Sequence, residues 1–398
     1  MIYLDNAATT PMHPKAKEAM LPYLSGEADR IYANPSSVYS SARQVRKAVD
    51  DARAVMAQAI GATPREVFFT SSGTEADNWA LEGVLTASTR GKHIITTAIE
   101  HPGIINMCKH LEKQGATITY LPVSPEGLVD PQQVADAITP DTCLVSVMLA
   151  NNEMGAIQPL AAISKITKAH GVPLHTDAVQ CVGHIHVNVE DLGVDLLSLS
   201  AHKFYGPKGI GALYIRKGTK IAPLFHGGGQ ERSLRPGTEN IMGIAGMAAA
   251  LQATIPTLPA EEQRLAALRD KLMDAITTRI PHVKVNGPVG ADRLPGNVNI
   301  SFRFIEGESL LLHLDMHDMY ASTGSACSSG ALEPSSVLMA MGLDHELANG
   351  AIRFSLGREN TDADIDALLH VLVTTVEKLR ALSPLYDDFI KAQQKGSE

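Results

Sequence analysis

From about Ser36 to about Ala250, short runs rich in β-branched residues alternate with stretches in which apolar residues recur every three or four positions. A short apolar run bounded by turn residues predicts a strand, and a period near 3.6 predicts a helix with one buried face. The first such helix opens at Ser36-Ser37, places Val45, Ala48, Val49, Ala52, Val55, Met56 and Ala59 on one side, and ends at Gly61. Strands are predicted over residues 66–70, 93–97, 116–121, 143–149, 172–176, 195–200 and 211–216, most of them separated by a helical segment. Strand and helix in alternation predict an α/β domain, with a seven-stranded, mostly parallel sheet covered by helices.

After Thr257 the pattern changes. A long helix is predicted over residues 260–279, a strand near 297–302, and a segment rich in Gly and Ser covers 322–330. The division that follows is a large domain over residues 15–257. A smaller α+β domain then comprises 1–14 plus 258–398, with a loop at about 322–333. Beyond Pro384 the chain turns polar and is expected to fray, apart from a short helix around residues 386–391.

Length and composition narrow the class. At 398 residues the chain exceeds what one core usually supports, and 44% hydrophobic with 19% charged residues is the balance of a globular enzyme. A formal net charge of −9, with no run of Lys and Arg, argues against an extended nucleic-acid surface and favours proteins and small molecules as partners. The N-terminus lacks a basic region followed by an apolar core, and no segment reads as apolar over the roughly 18 residues a membrane span needs. A cytoplasmic protein is expected. Four cysteines (Cys108, Cys143, Cys181, Cys327) in so long a chain do not make a disulfide framework, and no Cys-x-x-Cys pair points to a metal.

In open parallel sheets ligands sit beyond the carboxyl ends of the strands. After Val67-Phe-Phe-Thr comes Ser71-Ser-Gly-Thr-Glu-Ala, a small-residue turn opening a helix. It reads either as a phosphate cradle or as a capped helix start. Asp177, with Gln180 three residues on, pairs with a ring-nitrogen cation or caps the next helix. Lys203 closes a nearly apolar strand; it is a solvated surface group, or an amine whose pKa desolvation lowers until it forms a Schiff base. His101 follows another strand as a structural ring or a proton carrier. Phosphate cradle, aspartate and lysine together are the three anchors that pyridoxal phosphate requires.

The motifs then become specific. His175-Thr-Asp-Ala-Val-Gln180 and Ser198-Leu-Ser-Ala-His-Lys203 resemble the cofactor motifs of cysteine desulfurases of the NifS/IscS kind. Tyr3-Leu-Asp-Asn-Ala-Ala-Thr-Thr, Asn34-Pro-Ser-Ser, Ala150-Asn-Asn-Glu, Arg235-Pro-Gly-Thr-Glu-Asn and Arg353-Phe-Ser resemble that family in the same order. The resemblance implies pyridoxal-phosphate fold type I (aspartate aminotransferase-like) and a homodimer. By the same resemblance Lys203 holds the cofactor and moves the substrate's Cα proton, Asp177 pairs with the pyridine nitrogen, and Gln180 bonds the phenolic oxygen. His101 stacks on the ring; Thr74, Ser200 and His202 bind the phosphate; and Thr238 reaches the phosphate of the other subunit. Arg353 and Asn152 receive the carboxylate of L-cysteine. Cys327 takes the sulfur as a persulfide, leaves alanine, and passes the sulfur to an iron–sulfur scaffold or another acceptor protein.

The residues around Cys327 agree with this role, because Ser322-Thr-Gly-Ser-Ala-Cys-Ser-Ser-Gly330 is too polar to be core. Continued by Ala331-Leu-Glu-Pro-Ser, the segment resembles the class whose cysteine loop is long and mobile. Cys108 and Cys143 read as core. Cys181-Val-Gly-His184-Ile-His186 has the look of a metal site on a strand, but no third ligand has suitable spacing, so no metal is expected. Gly227-Gly-Gly229 with His226 reads as a turn near the subunit contact. Two other readings remain: a selenocysteine lyase or another pyridoxal-phosphate lyase or aminotransferase of the same fold, and a non-catalytic scaffold that keeps the fold.

Overall fold

The computed structural model describes residues 1–25, 31–323 and 334–395. Its strands, in chain order, are β1 (Ile2–Tyr3), β2 (Val67–Thr70), β3 (His93–Thr97), β4 (Thr117–Leu121), β5 (Thr142–Ser146), β6 (Leu174–Asp177), β7 (Leu196–Ser200), β8 (Gly211–Ile215), β9 (Val283–Val285), β10 (Asn297–Phe302), β11 (Met319–Tyr320) and β12 (Ala351–Ser355). Strands β2 to β8 form one seven-stranded sheet in the order β2-β8-β7-β6-β5-β3-β4. Six strands run the same way and β8 runs against both its neighbours, β2 and β7. Five of the six strands are wholly buried, while β4 at the edge is not, which is why the inner strands read as continuous apolar runs rather than as alternation.

One apolar cluster packs helices such as Ser40–Ala59 and Ile241–Thr254 against this sheet, and another lies under Gly73–Ala87 and Pro102–Lys113. A second sheet, in the order β12-β10-β9, packs with Leu258–Arg279 and Asp362–Ala381 around its own core of Leu272, Ile276, Phe302, Phe354 and Leu372. The N-terminal strand β1 pairs in parallel with β11, and an isolated bridge joins Asp5 to Ser355. The first residues of the chain are thereby tied to the second sheet.

Several expectations shift. The first long helix begins at Ser40 and not at Ser36, because Asn34 closes a turn there. Its Oδ1 accepts from the Ser36 amide at 2.9 Å and its carbonyl from the Ser37 amide at 3.0 Å. The C-terminal stretch forms one helix over Pro384–Lys395, longer than expected, and it docks through Tyr386 and Phe389 onto Phe304 and His282. The helical stretch Ile241–Arg279 does contain an 18-residue window of mean hydropathy 1.5, against the expectation of none. Its Ile244, Met247 and Leu251 are buried in the core beneath the large sheet, which accounts for the apolar composition.

Candidate active site

Because six strands of the large sheet share a direction, the residues that follow β2, β3, β5, β6 and β7 emerge along one edge. A cavity of about 340 Å³ opens there. Thr74, His101, Asn152, Asp177, Gln180, Ser200, His202, Lys203 and Arg353 all line it, although Arg353 is 279 positions from Thr74 (353 − 74). Of the other residues singled out in the sequence, Thr238 is exposed and does not line this cavity, and Cys327 lies outside the described residues.

At one end stands the N-terminus of the helix Gly73–Ala87. Ser72 caps it by accepting from the Glu75 amide at 3.1 Å, and the amides of Gly73 and Thr74 at the cavity wall have no intrahelical partner. A Cβ on Gly73 would come within 2.7 Å of Val179, so the smallest residue keeps this cradle open. Glu75 holds the turn by accepting from the Ser71 amide at 2.8 Å, and is itself paired with Arg235 at 2.7 Å. His202 beside it has its pKa pushed down to about 4 by burial and by the Lys203 and Lys208 charges, so at neutral pH it is an uncharged hydrogen-bonding ring. Its Nδ1 lies 3.1 Å from the Thr9 hydroxyl.

Lys203 leaves the end of β7 in a single 3-10 turn, and its Nζ donates to the carbonyls of Ala7 and Ala8 at 2.5 and 2.8 Å. Gln180 Nε2 donates to the same Ala7 carbonyl at 3.0 Å. The N-terminal segment is therefore a wall of the cavity. His101 caps the helix Pro102–Lys113, its Nδ1 accepting from the Gly103 amide at 3.1 Å, so any proton on the neutral ring is on Nε2.

Part of the lining is acidic. Asp177 accepts from the Val179 amide at 2.9 Å, and burial raises its pKa while the charges of His101 and Lys203 pull it back. Asp77, which the sequence reading passed over, is buried next to it. Oxygen or nitrogen atoms of Asp77, His101 and Asp177 all lie within 4.8 Å of one another. Burial and the Asp177 charge push the Asp77 carboxyl well above the carboxylate range. The available signal was its position three residues after Thr74, hence on the same side of the helix one turn further in.

Glu100 adds to this negative field, and burial drives its pKa up to about 8 despite bonds from the Met148 amide and the Thr97 hydroxyl. A folded-state pKa above the ordinary 4.5 means that the folded protein binds the extra proton, so stability is lost as pH rises between about 4.5 and 8. Thermal melts of cofactor-free protein are accordingly expected to fall across that window, less so for Glu100→Gln; a melting temperature flat in pH for the wild type would contradict the assignment.

Arg353 projects from β12 with 2% exposure, donating from Nη2 to Asp5 at 2.9 Å and from Nη1 to the Asn152 carbonyl at 3.0 Å, while Nε has no hydrogen-bond partner among the described residues. Its backbone bridges to Ser322, the strand-side flank of the cysteine segment. On the other flank Ser335 donates to Glu153 at 2.5 Å, and Glu153 also lines the cavity. His184 and His186 do not lie on a strand, contrary to the sequence reading. The His184 Nε2 lies 2.6 Å from the Lys203 carbonyl, while His186 is exposed. Cys108, Cys143 and Cys181 are buried as free thiols, two of them on the expected helix and strand.

Tested against pyridoxal phosphate, the cavity fits. The open cradle at Gly73 takes an anion, the buried carboxyl at Asp177 suits a protonated ring nitrogen, and the Lys203 amine lies in the same cavity. On a seven-stranded sheet of this topology, that fit places the protein among the pyridoxal-phosphate enzymes of fold type I. Residues 2–368 match the aminotransferase class-V family, and the chain belongs to it, within the group of cysteine desulfurases of the NifS/IscS kind. It is 53% identical over 384 residues to cysteine desulfurase IscS of Dictyoglomus turgidum, covering 96% of each chain. Among solved structures it resembles a NifS-like protein at 37% identity with a TM-score of 0.88, over 95% of this chain and all of that one. It also resembles SspA in complex with cysteine at 34% identity and TM-score 0.78, over 89% of this chain and 99% of the other.

Proposed function

We propose that the protein takes the sulfur from L-cysteine, releases L-alanine, and carries the sulfur as a persulfide on Cys327 to an acceptor protein, such as an iron–sulfur scaffold. The observation that carries this reading is one cavity in which the Lys203 amine, the Asp177 carboxyl and the Arg353 guanidinium converge, on a chain about half identical to a cysteine desulfurase from end to end. When bound, pyridoxal phosphate supplies an aldehyde for the substrate's amino group and a protonated ring that accepts the electrons released at Cα. Thr74, Ser200 and His202 hold its phosphate, Asp177 keeps the ring nitrogen protonated, Gln180 bonds the phenolic oxygen, and His101 covers the ring face.

The other roles belong to the substrate. Arg353 and Asn152 bind the carboxylate, the planar guanidinium offering a fork that a lysine lacks. Lys203, released from the cofactor when substrate enters, holds and moves the Cα proton. The Cys327 thiolate attacks the substrate's sulfur; the S–Cβ bond breaks with its electrons left on carbon, and protonation there completes alanine. Residues 1–14 with 258–398 act as the smaller domain, bringing Arg353 and Cys327 to a cofactor held by residues 15–257. The working unit is a homodimer in which the exposed Thr238 reaches the partner's phosphate site. The cytoplasm, where thiols stay reduced, suits the chemistry.

Arg353→Ala is expected to raise KM for cysteine by roughly ten- to a hundredfold, the loss of a charge-assisted bidentate contact, with a smaller change in kcat. Steady-state alanine release measures it, and an unchanged KM would remove Arg353 from the carboxylate site. The function as a whole is tested by supplying L-cysteine with a thiol reductant. Alanine and sulfide should appear in equal amounts, whereas pyruvate or ammonia in place of alanine would point to a different lyase.

A further inference from the structure

Asp77 has no place in the roles assigned above, yet it is 1% exposed and its Oδ1 has no hydrogen-bond partner among the described residues. It faces titratable groups from two elements. His175 and Asp177 come from β6, and Glu100 and His101 from the start of the helix Pro102–Lys113. None of them neutralises it. His175 Nε2 lies 3.8 Å from Asp77 Oδ1, but both ring nitrogens are already engaged, Nδ1 with the Ser146 hydroxyl at 2.8 Å and Nε2 with that of Ser198 at 2.9 Å. Burial keeps that imidazole uncharged, with a pKa near 3. The charge of His101 bears on Asp177 instead.

Two buried carboxylates whose oxygens lie within 4.8 Å of each other do not both stay ionised. The Ser198 hydroxyl favours the charged form of Asp77, but burial and the Asp177 charge outweigh it. Resting on the cofactor reading above, we propose that Asp77 is a positioning residue that remains a neutral carboxylic acid in the holoenzyme and leaves Asp177 as the single negative charge available to the pyridine nitrogen. A second full charge there would hold the ring's proton too tightly and oppose Asp177 in the cofactor-free protein. With the acid neutral, its O–H serves as a donor next to Asp177 and helps fix that carboxylate's orientation.

The test compares Asp77→Asn, a neutral isostere, with Asp177→Asn. In equilibrium dialysis of pyridoxal phosphate against cofactor-free protein, D77N is expected to stay within about threefold of wild type and D177N to weaken by about tenfold or more. D77N should also keep the pH midpoint of the cofactor's visible absorbance. Infrared spectra of wild-type holoenzyme carrying 13C-labelled aspartate should show an isotope-shifted carbonyl band of a protonated carboxylic acid at neutral pH. The band should persist in D177N, which assigns it to Asp77, and its absence from the wild type decides the matter even if D77N fails to fold. Absence of the band, or a D77N affinity about tenfold or more below wild type, overturns the proposal. A wild-type protein that takes up no pyridoxal phosphate overturns the cofactor reading and this proposal with it, and is told apart because the unmutated chain itself fails.

Discussion

Lys203→Ala is expected to lower kcat by about 10³- to 10⁴-fold or more, since it removes both the amine that anchors the cofactor and the base that moves the Cα proton. The fold should survive. Lys203 is half-buried in the cavity lining, and its Nζ donates to the Ala7 and Ala8 carbonyls rather than to a core side chain. Two readouts separate the chemical role from a structural one. The variant should bind pyridoxal phosphate without a covalent link that borohydride can trap, and a small primary amine added to the buffer should restore part of the activity. Unimpaired alanine release by Lys203→Ala would remove this residue from the reaction.

Cys327→Ser is the complementary case. The variant should keep its cofactor and its affinity for cysteine, and lose persulfide formation altogether. No other thiol is placed to take over: burial pushes Cys108 up to about 12, Cys143 up to about 11 and Cys181 well above the usual thiol range. At neutral pH these three are thiols rather than thiolates, and the thiolate is the nucleophile. Alanine release should therefore fall by about a hundredfold or more, the scale of losing a positioned nucleophile. A variant that still loads sulfur onto a cysteine and turns over as before would show that the acceptor lies elsewhere.

Much of this was legible along the chain, for identifiable reasons. The inner strands are buried on both faces, so each appears as a compact apolar run. The predicted 93–97 matches β3, and 195–200 and 211–216 differ from β7 and β8 by a single terminal residue. Residues at carboxyl ends of parallel strands are brought together by the sheet itself. Strand order alone therefore carried Thr74, His101, Asp177 and Lys203 into one cavity. What sequence could not supply was the partner chosen by each buried polar group. Asp77 reads as one polar position in a helix of mixed pattern, and only the approach of β6 makes it a neighbour of Asp177. The Asp5 contact with Arg353 depends likewise on a bridge to Ser355, 350 residues further on (355 − 5). Local competition explains the smaller misses. An Asn-Pro turn delayed the first long helix, and aromatic packing on Phe304 extended the last one.

The account turns on a thiol that receives sulfur from the amino acid bound at Lys203 and Arg353. Its most direct test is mass spectrometry of peptides from the holoenzyme after a brief incubation with L-cysteine, with free thiols alkylated before digestion. One added sulfur atom on the peptide containing Cys327, absent in Lys203→Ala, is the predicted result. Added sulfur on Cys108, Cys143 or Cys181 with Cys327 unmodified, or none on any cysteine while alanine accumulates, would contradict it.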